Sequence, residues 1–561
     1  MFVALNQEIC SNVRPEAGFS KIIKMDFLNE NLLTILILLP LFGAVGLIAH
    51  QMFWKNEDHL KWVTLAVTLV IFVISLLLLG GGNASASGFA FEQNIPWIQA
   101  INTNYHVGVD GLSLWLVVLT TFIMPIAVMS TWHAVEKRPT AFYVFLLLLQ
   151  SAMIGVFVSL DLLVFYLFFE ASLVPMFFLI GIWGGENRVY AAVKFFIFTA
   201  VGSLLMLVAI VSLYYLHFQA TGAGTFDLVT LLGSLENGTL VFTASTGSLL
   251  FLAFALAFSI KVPLFPFHTW LPDAHTEAPT AGSVILAAVL LKMGTYGLMR
   301  FNFTLFPEAS REFAWIFIIL AIVGIIYGAL VAMVQPDIKR LVAYSSVAHM
   351  GFVILGMFSF TEWGMQGALY QMLNHGISTG ALFLLVGFIY ERRHTRAIKE
   401  YGGIAAVMPL YATFFVFTAM SSIGLPFLNG FVGEFLIMIG MWKSSILSVT
   451  ATVNWNYVAT MFAGTGVIFA AVYLLWMIQR VFFGKLTNEK NRSLTDLNWR
   501  EIGLIAPLLF LMVYMGVYPK PFLDRSRETI VAIQERVMHR AGGDVEHAAT
   551  VTAEDKAKSS H

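Results

Sequence analysis

The chain has 561 residues, 58% of them hydrophobic and 12% charged, with a net charge of −1. A soluble domain carries roughly twice that charged fraction, and a mean hydropathy of +0.80 places this chain in lipid. The single cysteine, Cys10, excludes an internal disulfide framework and an iron–sulfur cluster, which takes about four cysteine or histidine ligands; no GxGxxG or GxxxxGK segment supports nucleotide binding.

Residues 1–25 are polar beyond "MFVAL" and lack the apolar core of a signal peptide, so they read as an extension or as sequence ahead of a start at Met25. At about 20 residues per span, fourteen apolar runs follow, centred near residues 41, 69, 121, 149, 172, 204, 257, 290, 321, 346, 378, 422, 468 and 509. They are continuous rather than alternating, which excludes a β-barrel and predicts an all-α polytopic membrane protein. Three helices fall within 26–138, a last span within 486–520, and residues 521–561 read as a short amphipathic helix and a polar tail.

Basic residues separate between alternate loops. One set holds Lys55, Lys61, Lys137, Arg138, Arg188, Lys339, Arg340, Arg392, Arg393, Arg396, Lys399, Arg480, Lys485, Lys490 and Arg492. The other holds little beyond Arg300, Arg311 and Lys443, and the loops 83–109 and 217–247 have no Lys or Arg. The positive-inside rule assigns the first set to the cytoplasm and both termini to the outside.

Six ionisable residues remain near span centres: Glu170, Lys261, Lys292, His349, His375 and Glu434. A charge there costs roughly 2.5–3.5 kcal/mol even on the lenient insertion scale, so these side chains must face the bundle interior or water, where such groups mark a transport route. Each has polar company at helical spacing: Tyr166 before Glu170, Tyr296 after Lys292, Ser345 before His349, and the stripe Gln371, His375, Thr379. Other readings stay open: Glu170 as a structural partner of Lys194 or Lys261, and the histidines as hydrogen-bonded packing residues. Asp110 and Asp161 sit at span ends as caps. The group His268, Asp273, His275 and Glu277 matches no zinc spacing and reads as a polar mouth, with no metal expected.

Two spans are interrupted in a similar way: "SIKVPLF" (259–265) and "SIGLPFL" (422–428). Pro263 and Pro426, the second after Gly424, break the helix, and unwound backbone at that depth survives only beside a polar cavity. The freed carbonyls are expected to hold water next to Lys261. Paired breaks point to the transport site, and their separation of about five spans predicts inverted five-helix repeats over 139–301 and 312–485.

The segment from Lys261 to Arg300, "KVPLFPFHTWLPDAHTEAPTAGSVILAAVLLKMGTYGLMR", closely resembles the signature of the antiporter-like subunits of respiratory complex I. "VGVDGLSL", "FFEASLVPMF", "QPDIKRLVAYSSVAHMG" and "NHGISTGALFLLVG" are similar to the same family, and the likeness spans roughly residues 30–520. The resemblance implies a proton-translocating subunit of the NADH:quinone oxidoreductase membrane arm. Glu170, Lys261, Lys292 and Glu434 would be its essential charges, and His349 and His375 its link between half-channels. Other types in the family carry lysine where this chain has Glu434. The resemblance further implies L- and N-type antiporter-like neighbours, with FMN, iron–sulfur clusters and quinone on partner subunits and no cofactor here. The alternative within the same fold is a subunit of a multisubunit sodium/proton antiporter or of a membrane-bound hydrogenase; a passive scaffold is the third possibility.

Overall fold

Several helices begin at a residue whose side chain accepts the free amides of the first turn. Asp161, Asp227 and Asp337 do so for the helices at Leu162, Leu228 and Ile338, and Asn498 and Glu501 close a capping box at Trp499. The computed structural model describes residues 16–53, 57–81, 88–447 and 453–540. Lys55, most of the predicted N-terminal extension and the end of the polar tail lie outside them.

In chain order the elements are α1 (Glu16–Phe53), α2 (Glu57–Ser75), a hairpin of β1 (Ala90–Ile98) and β2 (Thr103–Val109), α3 (Leu114–Ser130), α4 (Pro139–Val158), α5 (Leu162–Ala171), α6 (Leu173–Trp183), α7 (Arg188–Thr221), α8 (Leu228–Glu236) and α9 (Ala244–Lys261). After α10 (Trp270–Glu277) comes one long helix, Thr280–Leu305, made of α11 (Thr280–Ile285), α12 (Leu291–Gly297) and α13 (Phe303–Leu305) joined by π-helical turns at Leu286–Leu290 and Leu298–Asn302. Then follow α14 (Pro307–Glu312), α15 (Ala314–Met333), α16 (Ile338–Met357), α17 (Glu362–Arg393), α18 (Pro409–Ile423), α19 (Asn429–Trp442), α20 (Trp455–Phe482), α21 (Trp499–Val517) and α22 (Lys520–Arg540). Among the described residues, twelve helical stretches are long and apolar enough to cross a membrane. The other two of the fourteen apolar runs, near residues 121 and 422, fall on the shorter apolar helices α3 and α18.

α9 stops at Lys261, two residues before Pro263. α18 stops at Ile423 because Gly424 takes a left-handed φ of +84°, with Pro426 just beyond. At the first break the Leu264 amide bonds the Ser259 carbonyl and the Trp270 indole bonds the Ile260 carbonyl, at 2.8 Å each.

The helices that carry the central ionisable residues are the ones walled off from lipid. α17 and Thr280–Leu305 are buried along their apolar lengths and α16 nearly so, whereas α7 turns Val189, Val201 and Val208 outward. α17 and α19 meet backbone to backbone: a Cβ on Gly440 would lie 2.3 Å from Gly364 Cα. α22 lies across the face of the bundle that bears the hairpin. Its Arg527 bonds Glu362 at 2.7 Å and its Arg536 bonds Glu236 at 2.7 Å, while Ile530, Ile533 and Val537 point inward. This face is called the hairpin face below.

Candidate functional site

Four of the six predicted residues form a line through the bundle. Lys292 sits on α12, between the two π-helical turns. The wider i→i+5 winding of such turns, common at functional sites, lets its ammonium bond the carbonyl of Ala287 five residues back. The same ammonium reaches Nδ1 of His375 on α17 at 2.7 Å. The His375 ring faces that of His349 on α16, with centroids 5.9 Å apart and planes at 61°. His349 Nδ1 lies 3.0 Å from Glu434 Oε1 on α19. The other ring nitrogen, Nε2, lies 3.2 Å from the Ser422 hydroxyl, so the imidazole bridges Glu434 and Ser422. All four side chains are buried.

The amides of α17 hold the carboxylate in place. Gln371 Nε2 donates to Glu434 Oε1 at 3.1 Å. Asn374 in turn donates to Gln371 Oε1 at 3.1 Å and to the carbonyl of Asn429 at 2.7 Å. Gln371 was expected as a supporting group. Ser422, Asn374 and Asn429 were not singled out, although Ser422 opens the quoted "SIGLPFL" break and Asn374 lies one turn from Gln371.

The other half is organised differently. Lys261 Nζ is buried without a hydrogen-bond partner and lies 4.9 Å from the ring centre of Phe169 and 5.7 Å from that of Phe195. Its stabilisation is therefore cation–π, with the carboxylate of half-buried Glu170 within electrostatic reach. Lys194 pairs with Asp273 at 2.7 Å, which rules out the Glu170–Lys194 alternative. No side-chain hydrogen bond among the described residues joins Lys261 to Lys292. There α9 and α12 touch closely, a Cβ on Gly294 falling 2.6 Å from the Phe258 carbonyl.

Several supporting assignments change. The Tyr296 hydroxyl donates to the Phe157 carbonyl at 3.0 Å and accepts from Arg300 Nε at 3.2 Å, so it does not serve Lys292. Ser345 donates to the Val342 carbonyl at 2.7 Å rather than to His349. Thr379 Oγ1 is buried without a partner, and Tyr166 is half-buried beside Glu170. Arg300 and Lys339, read from the sequence as loop charges, are both buried: Arg300 pairs with Asp110 and Lys339 bonds the Ala278 carbonyl at 2.5 Å. The Thr280–Leu305 helix, at 26 residues, runs past a 20-residue window and takes in Arg300, whereas Lys339 lies in the first turn of α16. His275 is buried against Phe383, ring centroids 4.4 Å apart. Among the described residues no three His, Cys, Asp or Glu side chains converge as a metal site would require.

Known proteins share this architecture. Residues 159–460 match the family model described as NADH:quinone oxidoreductase/Mrp antiporter, and residues 32–156 match that described as NADH-ubiquinone oxidoreductase chain 4, amino terminus. NADH-quinone oxidoreductase subunit M of Rhodobacter capsulatus is 46% identical over 504 residues, covering 88% of this chain and 94% of its own. A chain of respiratory complex I from Thermus thermophilus superposes with a TM-score of 0.79 at 31% identity, over 90% of this chain and 99% of that one. A chain of the Mrp complex from Dietzia sp. gives a TM-score of 0.75 over 92% of this chain and 99% of that one, but at 18% identity it shares the fold alone. The chain therefore belongs to the subunit M (chain 4) family of NADH-quinone oxidoreductase, the antiporter-like, proton-translocating subunits of the complex I membrane arm.

Proposed function

We propose that protons cross this subunit along Lys292, His375, His349 and Glu434, with Lys261 and Glu170 as the loading pair on the other side of Lys292. The observation that carries this reading is the run of contacts of 2.7, 5.9 and 3.0 Å from a buried ammonium to a buried carboxylate. Groups of this kind are too costly in lipid to be retained as filler. The basic loops face the cytoplasm of a bacterium and the hairpin faces outward, so flow runs from Lys261 and Lys292 toward Glu434 and then out. The two helix breaks belong to inverted repeats related across the His349–His375 step.

The subunit carries no redox centre of its own in this reading. FMN, iron–sulfur clusters and quinone sit on partner chains, L- and N-type antiporter-like subunits flank it, and electron transfer elsewhere drives the charges. Moving one charge against 100 mV takes about 2.3 kcal/mol, so this coupling must act on the states of the line. Glu434→Gln and Lys261→Ala, each in an assembled complex reconstituted in vesicles, should depress proton pumping and the linked quinone reduction. Unchanged pumping in both would reduce the subunit to a scaffold.

A further inference from the structure

Lys292, Tyr296 and Arg300 follow one another at intervals of four, so they share the side of the Thr280–Leu305 helix that runs from the bundle centre toward the hairpin face. Where this stripe ends, Arg300 Nη2 donates to Asp110 Oδ1 at 2.6 Å and Arg300 Nε donates to the Tyr296 hydroxyl at 3.2 Å. The guanidinium carbon lies 5.2 Å from the ring centre of Phe89 and 5.4 Å from that of Tyr296, and Arg300 is 4% exposed. Asp110 also accepts from the amides of Leu112 and Ser113. α22 roofs the pair: the Gly111 amide donates to Thr529 at 3.1 Å, and a Cβ on Gly111 would fall 2.4 Å from the Arg525 carbonyl oxygen.

A buried ion pair is weak evidence for stability, since apolar residues of equal volume often do as well. This one has a property that apolar filler lacks. A guanidinium stays charged at every accessible pH, so it cannot hand a proton on, and its fixed charge repels an arriving proton, as pore arginines do. On the reading that Lys292 carries protons, Tyr296 and then Arg300 are the polar side chains that follow it along this side of the helix. We propose that the Arg300–Asp110 pair is an electrostatic plug that closes the direct route from Lys292 to the hairpin face, so that protons leave Lys292 only sideways through His375.

The test uses the intact complex in proteoliposomes. Asp110→Asn with Arg300→Gln removes both charges and keeps an amide–amide contact. An imposed pH gradient should then decay about tenfold faster without NADH, the ratio that about 1.4 kcal/mol of lost barrier produces. Protons moved per NADH should fall while quinone reduction continues. Adding Lys292→Leu should restore a tight membrane. An assembled double variant as proton-tight as the parent overturns the plug. A leak that ignores Lys292→Leu follows a route that does not start at Lys292 and overturns the proposal. Should the double variant not assemble, Arg300→Gln alone should leak, and Arg300→Lys, whose buried ammonium can release its proton as Lys292 does, should leak as well; an assembled Arg300→Gln complex as tight as the parent overturns the proposal.

Discussion

Replacing Gly433 by alanine tests the line through its support rather than through its members. A Cβ at this position would lie 2.4 Å from Gln371 Oε1, 2.8 Å from Asn374 Nδ2 and 3.1 Å from Gln371 Cα. Ordinary carbon contacts begin near 3.5 Å, so the Gln371 amide must retreat by about 1 Å. Its bond to Glu434, now 3.1 Å, then stretches to about 4 Å and is lost. A hydrogen bond to a charged group contributes about 1.5–3 kcal/mol; if the helices part instead, overpacking costs about 1–3 kcal/mol. Either amount leaves a large complex assembled but misplaces the carboxylate. Dye-quench measurement of pumping per NADH oxidised, with assembly followed on native gels, should show roughly a tenfold or greater loss through this subunit. Gly464→Ala, whose Cβ would meet nothing within 4 Å, is the control. Equal pumping by the two variants in fully assembled complexes refutes the argument.

His375→Gln keeps a polar group of similar reach but cannot relay a proton, and should slow transfer by about a hundredfold or more without loss of assembly, read as pumping per quinone reduced. Arg392 bonds Glu501 through two nitrogens at 2.7 and 2.6 Å, and Arg392→Ala leaves that carboxylate buried and unpaired. The expected cost is about 3–5 kcal/mol, seen as a lowered melting temperature of the solubilised complex that Glu501→Leu largely restores. Outside the membrane, burial pushes the His106 imidazole down, but Asp227 and Glu92 outweigh it and leave its pKa raised above 6.5, while bonding to His106 leaves Asp227 lowered. The tie between hairpin and α8 is therefore at full strength between the ordinary Asp value of 3.8 and pH 6.5, and fades as pH rises through the raised His106 value. Proteolysis of the hairpin should be faster at pH 9 than at pH 6, and His106→Gln should erase the difference.

The ionisable members of the candidate line were legible in the sequence because each breaks a strong local rule. A Lys, Glu or His inside an apolar run stands out, as do Pro263, Gly424 and Pro426. Order along the line was not legible. His349 precedes His375 in the chain, yet His375 touches Lys292 and His349 touches Glu434, because α16 and α17 lie side by side and sequence order says nothing about which ring faces which neighbour. Long-range partners were hidden for the same reason: Asp110 and Arg300 are 190 positions apart, and each alone looked like an ordinary residue of a span end. The hairpin was missed as well, since the stretch 90–109 alternates too weakly to compete with the apolar runs around it.

The gap between the two imidazoles has a consequence for how a pump avoids short-circuiting. Lys292 with His375, and His349 with Glu434, are closed pairs, and no hydrogen bond joins ring to ring across the 5.9 Å between them. Two positive charges at that separation repel by about 2.8 kcal/mol at an effective dielectric of 20, roughly a hundredfold in population. On the proposed route the pairs are the two doors of an airlock: filling one chamber disfavours filling the other by roughly a hundredfold.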